Sequence, residues 1–106
     1  MNVIYSDKAE KWTEGRELLH MATRNLEKVV GKHSPEIDAE WDRTDGENGP
    51  LLTLKIADWN GPATVSFTKA DLESPYYLQT RLRRLWDKLL ERRLNKAVEK
   101  LYQDEK

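Results

Sequence analysis

The chain contains no cysteine. That one absence removes disulfides, thiolate catalysis and every Cys-based zinc site. Nor does any segment approach the roughly 18 consecutive apolar residues of a membrane span, and the opening MNVIYSDKAEKW has no basic region followed by a long apolar run. A cytoplasmic protein without membrane contact is the expectation. Apolar residues are themselves scarce, at 38% hydrophobic against 35% charged over 106 residues. The core must come from well-aligned stripes rather than from surplus apolar residues, and a chain of this size is expected to form a single domain, 1–106, burying about two-thirds of its extended surface. Four tryptophans, Trp12, Trp41, Trp59 and Trp86, offset the polar average, since each can bury on the order of 200 Å².

Signatures of catalysis are missing as well. No serine sits in a G-x-S-x-G elbow, and no glycine run can cradle a phosphate. His20 and His33 lie thirteen residues apart, the first off the apolar stripe of its helix and the second in the loop beyond it, so they read as surface histidines rather than a metal pair. The loop DRTDGENG looks calcium-like, but setting Gly46 at the loop glycine puts Trp41 and Leu52 where the first and last carboxylate ligands belong. No catalytic residue, metal site or cofactor is expected, and the chain reads as non-enzymatic.

What is present is a regular alternation of local patterns. Helix one is predicted from Ser6 or Asp7, where Glu10 completes a capping-box variant, along the stripe Trp12, Leu18, Leu19, Ala22, Leu26, Val29 and Val30. Gly31 and Ser34-Pro35 end it. Gly15, on the same stripe, reads as a packing position where the missing side chain lets another backbone approach, despite costing about 1 kcal/mol of helix propensity. Three strands follow: EIDAEWDR (36–43), LLTLKIAD (51–58) and ATVSFT (63–68), separated by the turn-rich TDGENGP and by Asn60-Gly61. Pro62 confines the last of them to an edge, or to its own first residue. After a short turn capped by Thr68 and Asp71, Ser74-Pro75 starts a long helix reaching about Tyr102. The predicted fold is therefore α+β: a helix, a three-stranded antiparallel meander and a long C-terminal helix in a two-layer α/β sandwich. Double-stranded-RNA-binding domains share that order, yet their second helix opens with clustered lysines, whereas this one opens SPYYLQTR. The shared order is topology only.

Three surfaces could carry function. Glu36, Asp38, Glu40 and Asp42 alternate with Ile37, Ala39 and Trp41, so in a strand the four carboxylates form one face. Neighbours on such a face are about 7 Å apart, too far to chelate one ion unaided. The row reads as a solvated face or a dock for a basic partner. On the last helix Arg81, Arg84, Lys88 and Arg92 follow spacings of three, four and four and stack along one side, with Asp87 and Glu91 placed to neutralise part of them. The charge division supports the contrast: from Pro75 onward nine Lys/Arg face five Asp/Glu, giving +4, and before it nine face fourteen, giving −5. Last, the apolar stripe of that helix drifts: Leu78, Leu82, Leu85 and Leu89 form one line and Leu90, Leu94, Ala97 and Leu101 another, rotated by about 100°. The second line calls for another cover, either helix one or a second copy of the chain. The expected function is a small protein-protein interaction or adaptor module acting as a homodimer, with nucleic-acid binding on the basic face as the alternative. A pI of 6.1 against the value above about 9 usual for nucleic-acid-binding domains favours the former.

Overall fold

The structure, a computed structural model, describes residues 1–58 and 61–104. Strand β1 (Asn2–Tyr5) is followed by a single helical turn, α1 (Asp7–Glu10), by a 3-10 turn at Thr13–Gly15 and by α2 (Arg16–Val30). A second 3-10 segment, Gly31–Glu36, leads into β2 (Asp38–Gly46), β3 (Gly49–Asp58) and β4 (Gly61–Thr68), then α3 (Lys69–Glu73) and α4 (Pro75–Asp104). The strands lie side by side in the order β1-β2-β3-β4. The fold is α+β, with four strands rather than three. β2 to β4 form the expected antiparallel meander, and β1 adds a parallel edge, Val3 opposite Ala39 and Tyr5 opposite Trp41.

Alternation within β2 is as the sequence implies: Ile37, Ala39 and Trp41 are buried while Asp38 and Asp42 are exposed. The same face carries Leu52, Leu54 and Ile56 of β3 and Ala63 and Phe67 of β4, with the Trp41 and Phe67 rings 6.1 Å apart. Against it pack Leu19, Ala22, Leu26 and Val30 of α2 and Leu78, Leu82, Leu85, Trp86 and Leu89 of α4. Trp12, Trp41 and Trp86 are all in the core; Trp59 lies outside the described residues. The tightest polar point in this core is Thr23, which donates to Leu19 O at 2.8 Å and accepts from Trp41 Nε1 at 3.0 Å, so the indole N–H is satisfied although fully buried.

Helix one is interrupted. Ser6 caps α1 by accepting from the Ala9 N–H, but the helix stops after one turn and restarts at Arg16. At the break the Trp12 indole folds back over Gly15: an added Cβ there would stand 2.1 Å from a ring carbon. The close approach at Gly15 is thus made by an aromatic ring and not by the backbone expected there. The interruption leaves α2 with 15 residues, about 22 Å. Gly31 ends α2 at φ 63°, and its N–H reaches Glu27 O. The second short cap is a complete capping box, Thr68 and Asp71 each accepting from the other's backbone N–H.

α4 has 30 residues, about 45 Å, twice the length of α2. Its burial ends at Leu89. The molecule measures 55 × 24 × 22 Å because the rest of the helix runs past the sheet.

Candidate functional surfaces

The acidic row is divided by its surroundings. Glu36 stands outside β2, at the end of the 3-10 segment, where its carboxylate lies 3.3 Å from Arg93 and 3.5 Å from His33. Its predicted place in the strand is wrong because the chain at Pro35 is still turning. Glu40 meets Lys55 directly across the ladder at 3.5 Å. Asp42 accepts from Ser6 Oγ at 2.7 Å and from the Arg43 N–H at 2.9 Å, and the Ser6 hydroxyl, then that amide, then the nearby Lys8 charge hold its carboxyl below the usual range. Asp38 remains exposed on the open sheet face, beside a shallow hollow of about 250 Å³ bordered by Ile4 and Lys55. Among the described residues no three His, Asp or Glu side chains gather as a metal site requires. The row is a chain of separate local contacts.

Arg93, which falls outside the predicted arginine row, makes the side-chain hydrogen bond that spans most sequence among the described residues. Its Nε–H donates to the Asp58 carboxylate, whose side chain is 0% exposed, and its Nη2 reaches Glu36, fifty-seven residues away in sequence. The guanidinium also lies over the Trp86 ring at 5.5 Å. A planar fork joining two carboxylates while stacking on an indole is an arginine-specific task. It ties α4 to the end of β3 at the point where the helix leaves the sheet. A spacing rule could not single it out, because its partners come from distant segments.

The basic row itself lies beside β4. Arg81 donates to Ser66 O at 3.3 Å and to the Tyr77 hydroxyl at 3.0 Å, and sits over the Phe67 and Tyr77 rings. Arg84 and Lys88 are exposed and line a groove of about 450 Å³ with Thr64, Val65, Ser66 and Leu85. Arg92 reaches the start of the strand, its Nη1 3.8 Å from where a Cβ on Gly61 would be. The expected pairing with Asp87 and Glu91 does not occur: among the described residues no ion pair engages Arg84, Lys88 or Arg92.

On the overhang, Leu90 is 38%, Leu94 64%, Val98 41% and Leu101 66% exposed, and Ala97 is exposed between them. α2 ends too early to cover them. Val98, four residues beyond Leu94 and three before Leu101, widens the predicted strip.

The histidines are peripheral, His20 edge-on to Tyr5 and His33 against Trp86, both at 5.8 Å between rings. His20 and Tyr5 border an open hollow of about 710 Å³ between α1 and α2. There Arg16 is directed to Glu10 O. No helix among the described residues is long and apolar enough to cross a membrane. Comparison with protein-family models, with curated proteins and with solved structures gives no match.

Proposed function

We propose that this protein is a cytoplasmic, non-enzymatic protein-protein interaction module that works as a homodimer, joined through the distal part of α4. The observation that carries the reading is the exposed strip on the overhang. Leu90, Leu94, Ala97 and Leu101 repeat at four, three and four residues, the spacing by which one helix inserts side chains between those of another. An isolated exposed leucine needs no explanation, but a line of them along a helix that has left its own core supports a partner surface. A second copy supplies the same strip, and twofold pairing is the commonest way for a surface to cover itself.

The variant Leu94→Glu/Leu101→Glu tests this. Both side chains are more than half exposed, so the monomer fold tolerates the change, whereas two carboxylates in an apolar seam must be desolvated. Light scattering at high micromolar concentration should give a dimer for the wild type and a monomer for the variant, with unchanged helix content by circular dichroism. A monomeric wild type, or a variant that stays dimeric, overturns the reading.

A further inference from the structure

β4 is an open edge of the sheet, and its outward-facing backbone groups can be identified. In an antiparallel ladder residues alternate between turning both N–H and C=O to the partner strand and turning both away. Ser66 O accepts from Arg81 of α4, and the Thr68 N–H donates to Asp71, so the outward set is the even-numbered one. It contains Pro62, whose missing N–H is tolerated because it would have faced outward. Arg81 closes one end and the capping box lies beyond it. Among the described residues the Pro62 carbonyl, both backbone groups of Thr64 and the Ser66 N–H stay open, a stretch suited to one short added strand.

α4 runs along this edge in register with it. From Arg81, at Ser66, to Arg92, at Gly61, the helix advances eleven residues, about 16.5 Å. The five residue steps of the strand from Ser66 to Gly61 also span about 16.5 Å. Between these ends Arg84 and Lys88 face the groove without carboxylate partners among the described residues. Successive cations four residues apart on a helix are about 6 Å apart, close to the roughly 6.7 Å between alternate side chains of an extended chain.

We propose that the groove between β4 and α4 binds an extended acidic peptide, which joins the sheet beside β4 and sets carboxylates at alternate residues against Arg84, Lys88 and Arg92. Backbone bonds at Thr64 and Ser66 supply sequence-independent affinity, and the cations select alternating acidic side chains. A second copy of this chain is a poor occupant: twofold pairing of two β4 edges would bring the cationic rows together. A nucleic acid would satisfy the cations but offers no peptide backbone to complete the edge, and among the described residues no aromatic ring lines the groove to stack a base.

The test uses the full chain and a fluorescein-labelled eight-residue peptide alternating glutamate and valine, with a lysine-valine peptide and an oligo-dT of similar charge as controls. The expected result is saturable anisotropy for the glutamate peptide alone, weakened by salt and by at least about tenfold in Arg84→Glu/Lys88→Glu, whose two positions are exposed and outside the core. Leu94→Glu/Leu101→Glu should bind as the wild type does, since the groove does not depend on the distal strip. Hydrogen exchange read by NMR should show the Thr64 and Ser66 amides becoming protected on binding. Absence of peptide binding overturns the proposal and leaves the cations as guards against edge pairing. Binding of oligo-dT in its place, or peptide binding that leaves both amides unprotected, overturns it equally.

Discussion

Replacing Gly15 by alanine sets two effects of opposite sign against each other. By helix propensity alone, alanine in place of glycine favours a helix by up to about 1 kcal/mol, and an uninterrupted helix one would gain from it. The tertiary arrangement reverses that sign. The new methyl would lie 2.1, 2.2 and 2.3 Å from three carbons of the Trp12 ring, more than an ångström inside ordinary contact. Trp12 is only 4% exposed and its ring is rigid, so it cannot yield by bending a flexible end. Pushing a buried ring within a packed core costs about 1 to 3 kcal/mol, and expelling it about 3 to 5 kcal/mol. The net expectation is a loss of about 1 to 3 kcal/mol, measured by urea denaturation, with tryptophan emission shifted to the red as the indole gains access to water. In a Trp12→Ala background the clash is gone, and Gly15→Ala should then be neutral or stabilising, so the two changes must be strongly non-additive. Stabilisation by Gly15→Ala in the wild-type chain would refute the stacked arrangement and restore the continuous helix.

Two further expectations follow from the core and from the Arg93 contacts. Trp41→Ala removes the largest fully buried side chain among the described residues and should cost about 3 to 5 kcal/mol, whereas Asp38→Asn on the open face should stay within about 0.5 kcal/mol; equal losses in chemical denaturation would mean that the register of β2 is wrong. Arg93→Ala takes the guanidinium from a carboxylate with no solvent exposure and should cost about 2 to 4 kcal/mol, and Arg93→Lys should recover less than half of that, because an ammonium neither forks between Asp58 and Glu36 nor stacks on Trp86; full rescue by lysine, read from the denaturation midpoint, would show that charge alone matters there.

Local pattern was enough to read the inward face of β2, the antiparallel meander of β2 to β4, the Thr68 capping box and the approximate length of α4, since each depends on residues only a few positions apart. Period-two alternation placed Trp41 inward, and the drift of apolar positions along α4 announced that its distal strip would leave the sheet. Strand β1 carried no such signal: NVIY is four residues long, and it becomes a strand by pairing with Asp38 to Trp41, on the far side of α1 and α2. The break in helix one was equally hidden, because Trp12 satisfies the helical stripe and leaves it only when its ring finds the bare backbone of Gly15 within a formed core. Glu36 continued the acidic alternation in sequence, but in space it ends the 3-10 segment through Pro35 and meets Arg93 and His33. The arginine row was legible as one face of a helix, but sequence spacing says nothing about what that face lies beside. Packing of α4 over the sheet set Arg84 and Lys88 along the open edge of β4, because the buried line from Leu78 to Leu89 fixes the rotation of the helix about its own axis and carries every other side chain with it.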